Sequence, residues 1–177
     1  MVNAGHEVAL SNSRDPESLK DLIAKLGPNA HADTVNNAAA FGDIVLLAVP
    51  WALPEALPHS DLVANKIVID AMNPYGPNGQ VLDLGDTTSS EETAKRLPDV
   101  RLVKAFNTIW YKHLAEHGDT AKPELQRQAI FVAADDQDAK ATVSDLIREI
   151  GFAPVDTGSL REGGRKQHPI RLFTVKK

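Results

Sequence analysis

Asp43 to Trp51 reads DIVLLAVPW, an unbroken apolar run from Ile44 to Val49 that Pro50 stops. A strand with one wet face would alternate polar and apolar residues. A run without alternation belongs to a strand buried on both faces, which means a parallel sheet covered by helices. The same pattern returns at Lys66 to Pro74 (KIVIDAMNP), Arg101 to Thr108 (RLVKAFNT) and Gln128 to Asp136 (QAIFVAADD). A shorter strand is expected at Glu7 to Asn12.

Helical patterns fill the intervals. Asp15 is placed to cap a helix whose first residue is Pro16, where the missing N–H costs nothing. Leu19, Leu22, Ile23 and Leu26 follow at the spacing of one helical stripe, and Gly27-Pro28 ends it. Val143, Leu146, Ile147 and Ile150 repeat the spacing in what reads as the last helix, closed by Gly151. Asn36 to Phe41, Glu55 to Leu62 and Ser89 to Leu97 are weaker helical candidates. The alternation predicts a doubly wound α/β fold.

With 177 residues, the chain suits one domain that buries about 70% of its unfolded surface. A net charge of −5 with interspersed signs argues against nucleic acid as a partner. There is no cysteine, so no disulfide or thiolate metal site, as expected of a reducing, cytoplasmic setting. No apolar run nears the ~20 residues that cross a bilayer, so no membrane association is expected.

In an open parallel sheet, ligands bind beyond the carboxyl ends of the strands. The residues expected there are Asn12, Ser13 and Arg14; Ala48, Val49, Pro50 and Trp51; Met72, Asn73 and Pro74; and Asn107. They are small, polar or rigid, without a carboxylate pair or a Ser/His/Asp set, so no catalytic acid or base is named. Ser13 and Arg14 stand where a carboxylate would select a free ribose hydroxyl. A hydroxyl and a planar guanidinium suit a 2′-phosphate instead, although they equally suit a helix start and a solvated arginine. Pro50 could turn the backbone so that a flat ring lies on it, while Trp51 could simply cover the sheet edge. Asn73 and Asn107 could cap turns or read a carboxamide. His113 and His117, four residues apart, lack a third ligand in sequence and read as a solvated helix face, so no metal is expected.

Five segments in this order, VNAGHEVALSNSRDPESL, DIVLLAVPW, IVIDAMNPY, VKAFNTI and GFAPVDTGSLRE, resemble the NADP oxidoreductases that use the deazaflavin coenzyme F-420. The same domain is similar to the cytoplasmic NADPH-binding domain of metalloreductases and, more distantly, to the cofactor domain of pyrroline-5-carboxylate reductases. The resemblance implies one Rossmann-like NADP-binding domain over residues 1–169, with residues 170–177 an atypical tail. It implies that Ser13 and Arg14 contact the 2′-phosphate of NADP. Val49, Pro50, Trp51, Asn73 and Asn107 would line the nicotinamide side, where coenzyme F-420 or a flavin stacks as a small-molecule electron acceptor. Such a protein is an NADPH-dependent oxidoreductase, free to form a homo-oligomer. Members of the family begin with a strand and a G-x-G-x-x-G turn ahead of the segment matching Val2 to Val8. The expectation is therefore a domain lacking its first strand and phosphate cradle. A non-catalytic NADP-binding module and an inactive remnant are the alternatives.

Overall fold

A computed structural model of the chain describes residues 1–169; the tail expected at 170–177 lies outside them. Among the described residues, seven strands and six α-helices alternate, except that β4 follows β3 without an α-helix between them. They are β1 (Val8–Leu10), α1 (Lys20–Leu26), β2 (Ala30–Ala32), α2 (Val35–Phe41), β3 (Ile44–Leu47), β4 (Ile67–Asp70) and α3 (Ser89–Arg96). After these come β5 (Arg101–Ala105), α4 (Tyr111–Glu116), β6 (Ala129–Ala134), α5 (Gln137–Glu149), β7 (Ala153–Asp156) and α6 (Leu160–Lys166).

The helix starts are built as local chemistry dictates. The Asp15 carboxylate accepts from the Glu17 N–H at 2.9 Å, with Pro16 opening a 3-10 turn that leads into α1. Thr88 and Glu91 form a reciprocal capping box on α3, satisfying two N–H groups that the helix itself leaves unpaired. Asp136 caps α5 and also receives a two-pronged contact from Arg101 at 2.6 and 3.1 Å. Those bonds hold the Asp136 carboxyl down at about 2, the Arg101 guanidinium being the largest cause.

The strands form two sheets. β1 pairs with β2 alone, and β3-β4-β5-β6-β7 form the other sheet. Among the described residues no strand bridges β1 and β3. In the larger sheet alternate residues feed opposite faces. Ile67, Ile69, Val103, Ala105, Ile130 and Val132 pack with Val143 and Ile147 of α5. Val68, Leu102 and Leu47 pack on the other side with Trp51, Met72, Leu97 and Leu160. All four residues of β4 are buried, as its continuous apolar run requires.

Four expectations change. β6 runs antiparallel to β5, with Val103 opposite Ala134 and Ala105 opposite Val132, so the sheet is mixed. A buried apolar run reports that both faces are covered and is silent on direction. Glu55 to Leu62 is two separate 3-10 turns, Pro54–Ala56 and Ser60–Leu62, because Pro54 and Pro58 punctuate it. The helix at Val143 to Ile150 is followed by β7 and α6, so it is not the last. The stripe on α1 buries no residue fully, and Leu22 is 43% exposed. β2 carried no signal of its own, being three residues of Ala-His-Ala.

Candidate cofactor site

Because β3, β4 and β5 are mutually parallel, their carboxyl ends lie on one edge. The first amino end of β6 joins them there, since β6 runs the opposite way.

At the end of β1, the Asn12 side chain builds a turn. Its Oδ1 accepts from the Arg14 N–H at 2.8 Å, and its Nδ2 donates to Ser18 Oγ at 3.0 Å. This leaves the side chains of Ser13 and Arg14 exposed and without a hydrogen-bond or ion-pair partner among the described residues. Two donors are thus held on a short turn and left unspent.

At the end of β3, Ala48 and Pro50 are exposed, Val49 is half-buried and Trp51 is buried. The indole differs from a ring laid open at the strand end. Its N–H points to Ser89 O and Thr93 Oγ1, both at 3.2 Å, and Arg96 lies 4.2 Å over the ring. Arg96 also donates to Trp51 O at 2.8 Å. Trp51 therefore pins the turn to α3 from within, and Pro50 and Ala48 form its outer surface. A buried indole N–H needs an acceptor, and α3 supplies two.

Beyond β4, Met72 and Pro74 are buried and Asn73 is half-buried. The loop rests on a buried ion pair. Asp70 of β4 and Lys104 of β5 are register partners, with Nζ and Oδ2 3.2 Å apart. Asp70 accepts from the Met72 N–H and from Ser90 Oγ, both at 2.9 Å, and the Lys104 ammonium donates to Met72 O. Burial pulls the Lys104 ammonium below the usual lysine value, and the Asp70 carboxylate opposes that pull. Both polar groups of the Met72 backbone are thereby clamped.

The end of β5 is bent by Phe106, whose φ of 66° lies in the left-handed region. A bulky residue there stores on the order of 1–3 kcal/mol of strain. Immediately after this bend, Asn107 faces Asn73. Asn73 Nδ2 donates to Asn107 O at 2.9 Å, and Asn107 Nδ2 donates to Asn73 Oδ1 at 3.1 Å. Asn107 Nδ2 also donates to Gln167 O at 3.0 Å. With both amide hydrogens spent, the orientation of Asn107 is set, and its buried Oδ1 has no partner among the described residues. The Oε1 of Gln167 is likewise buried and unpartnered, while its Nε2 donates to Thr157 Oγ1 at 3.0 Å. An unpaired buried acceptor costs about 1–3 kcal/mol, so each of these two oxygens calls for a donor beyond those the described residues supply.

The fold thus joins Met72, Asn73 and Asn107 into one unit and sets Ser13 and Arg14 on the other sheet. Asp70, Lys104, Phe106 and Gln167 went unmarked in the sequence. Asp70 and Lys104 did carry a signal, a charge of each sign within otherwise apolar runs. Gln167 carried none. Among the described residues, no group of three or more His, Asp or Glu side chains converges as a metal site. No described helix is long and apolar enough to cross a membrane.

Comparison with known proteins bears on what such an edge holds. Residues 1–74 match the model of the family described as NADP oxidoreductase coenzyme F420-dependent. The chain is 29% identical over 175 residues to the metalloreductase STEAP3 of Rattus norvegicus, covering 98% of this chain and 33% of that protein. It therefore spans about a third of the length of that curated relative. Among solved structures, a hypothetical protein from Sinorhizobium meliloti superposes with a TM-score of 0.82 at 32% identity, over 96% of this chain and 82% of the other. A structure described as an F-420-dependent NADP-reductase from Arthrobacter sp. FB24 gives a TM-score of 0.75 at 22% identity, over 93% and 80%. The Rossmann-like α/β fold and the order of the motifs agree with these matches, and over residues 1–74 the chain is similar to the family of coenzyme F-420-dependent NADP oxidoreductases.

Proposed function

We propose that this chain binds NADPH and holds its nicotinamide for direct hydride exchange with a deazaflavin or flavin ring, coenzyme F-420 being the acceptor its family description names. The observation that carries the reading is the orphaned, fixed Oδ1 of Asn107. A carboxamide N–H is a donor of the kind this acceptor lacks. The free hydroxyl of Ser13 and guanidinium of Arg14 fit the other end of the cofactor, where a 2′-phosphate needs donors and a carboxylate would repel it. These residues fit the two ends of a dinucleotide; a G-x-G-x-x-G turn does not occur in the 177 residues.

When bound, NADPH would supply the hydride and become NADP+, and the acceptor ring would take that hydride together with a proton from solvent, so no protein acid or base is assigned. The work of the chain is holding and orienting. Asn107 accepts from the carboxamide, Asn73 fixes Asn107, and the Asp70–Lys104 pair keeps the Met72 loop at one height. Ala48 and Pro50 offer a flat, rigid surface beside them. The absence of cysteine suits a cytoplasmic setting for such a reductant-handling protein.

Titration with NADPH and NADH tests the cofactor. Removing the guanidinium with Arg14→Ala is expected to cost about 1.5–3 kcal/mol of NADPH affinity, the worth of a charge-assisted contact, and to leave NADH unchanged. Equal weakening toward both would show that Arg14 supports the turn and does not read a phosphate. Loss of absorbance of NADPH on adding F-420 or flavin mononucleotide tests the acceptor separately.

A further inference from the structure

Four of the large apolar or aromatic side chains exposed among the described residues stand on the segments that follow β3, β4 and β5. They are Leu53, Tyr75, Trp110 and Tyr111. Trp110 is already engaged by α4. Tyr111 and His113 meet it in edge-to-face contact, with centroids 5.6 and 5.3 Å away, and the Lys112 ammonium lies 4.9 Å from its ring centroid. Tyr75 is different, being rigidly carried and unspent.

Tyr75 lies two residues past Asn73, whose side chain is fixed on Asn107. Its N–H donates back to Asn73 O at 2.7 Å, closing a three-residue turn around the buried Pro74. Beyond it the chain folds back on itself. Tyr75 bridges Val81, the Gly76 N–H donates to Gln80 O at 2.8 Å, and the Leu82 N–H donates to Pro74 O at 2.8 Å. Pro74 and Gly76 on either side are buried, yet Tyr75 is 43% exposed. Its ring has no aromatic or cationic partner among the described residues, and its hydroxyl has no hydrogen-bond partner there.

Two extended residues span at most about 7 Å, so this ring is carried within reach of whatever Asn73 and Asn107 hold. An aromatic side chain with an open apolar face and a polar tip suits a flat ring that is itself partly polar. We propose that Tyr75 packs against the tricyclic ring of a flavin or deazaflavin acceptor. This rests on the proposed function, in which that ring lies beside the nicotinamide held at Asn107. Tyr75 then sets acceptor affinity and leaves the NADPH end to Ser13, Arg14 and Asn107.

Flavin mononucleotide titrated with the 177-residue chain is expected to lose emission saturably at micromolar protein, because a phenol packed on the ring quenches it by electron transfer. Tyr75→Leu should raise the midpoint at least fivefold, the usual scale of a ring-on-ring contact. Tyr75→Phe keeps the flat face, so it should hold the midpoint within twofold while reducing the depth of quenching. Coenzyme F-420 titrated in parallel tells deazaflavin from flavin, the ligand with the lower midpoint being the acceptor. NADPH titrated into Tyr75→Leu should bind as it does to the unaltered chain. A midpoint that Tyr75→Leu leaves unmoved, or a chain that binds neither ring below millimolar concentration, overturns the proposal. So does a parallel loss of NADPH affinity, which would assign Tyr75 to the support of the Asn73 turn. Ring binding that depends on Tyr75 in a chain that binds no NADPH would uphold this contact and overturn the cofactor reading alone.

Discussion

The two sheets of this molecule are made from similar apolar strands and differ in what surrounds them. In the five-stranded sheet, β4 is buried along its whole length and both faces carry helices or long loops. In the two-stranded sheet, Ala30 is the one buried residue of β1 and β2. α1 packs there without burying a side chain, and β1 meets no strand on its other edge among the described residues. A two-stranded sheet is marginal by itself. Yet each sheet carries one end of the candidate ligand surface, Ser13 and Arg14 on the smaller and Asn73 and Asn107 on the larger. The end that would read a phosphate by charge can tolerate a loose support, because a guanidinium adapts its reach. The end that would orient a ring needs a fixed one, and there the chain spends a buried ion pair and a strained Phe106.

Breaking the larger sheet should therefore cost most. Lys104→Ala leaves the buried Asp70 carboxylate without its counter-charge, a loss of about 3–5 kcal/mol in urea unfolding. Replacing both partners, Asp70→Leu with Lys104→Met, should recover most of that stability while loosening the Met72 loop. Recovery of stability together with an unchanged NADPH affinity would show that the pair does not position the loop.

Core truncation sharpens the contrast. Ile69→Ala, at a site with no exposure, is expected to cost about 2–5 kcal/mol. Leu10→Ala in the half-buried β1 should cost clearly less, read in the same urea series. Equal costs would mean that the two sheets unfold as one equally packed body.

A smaller effect is expected at the ring end of the site. Asn107→Ala removes an acceptor and frees Asn73, and should weaken NADPH by about 0.5–1.5 kcal/mol, the worth of a neutral hydrogen bond. Asn107→Leu should weaken it further through shape, and NADPH and NADH should suffer alike, in contrast to Arg14→Ala. Preference for one cofactor in the Asn107 variants would contradict its proposed place beside the ring.

The smallest effect is the pH dependence set by Asp136. Its carboxyl is held below the ordinary 3.8, at about 2, so its contribution is fully present above the ordinary value. As pH falls through that interval the carboxylate gains a proton and the contribution is lost. Asp136→Asn should flatten acid unfolding over that interval, by a modest amount because both partners are about a third exposed. An unchanged acid profile would show that the Arg101 contact is not maintained in solution.

Much of the fold was legible because its signals are local. The apolar runs at Ile44, Ile67, Arg101 and Ala129 placed four strands, and Asp15 caps the helix start expected of it, while the caps Thr34, Thr88 and Asp136 went unread. Of the expected site residues, Asn12, Ser13, Arg14, Asn73 and Asn107 were read as following strands, and the structure places them after β1, β4 and β5. Trp51 was legible as a residue and not as a direction. A tryptophan after a strand can face either way, and the choice was made by acceptors on α3, some forty residues along the chain.

By itself the sequence determined the alternating α/β order, the two-sided burial of the central strands and the residues that follow them, since periodicity and capping act within a few residues. Only the tertiary structure decided the reversed direction of β6, the Asp70–Lys104 pairing, the inward turn of Trp51 and the meeting of Asn73, Asn107 and Gln167. Those depend on strand register and on loop paths that bring together groups 34 and 60 residues apart. Such pairings leave no periodic trace, because the free energy that selects them comes from desolvating both partners at once and exists only when the sheet has closed around them.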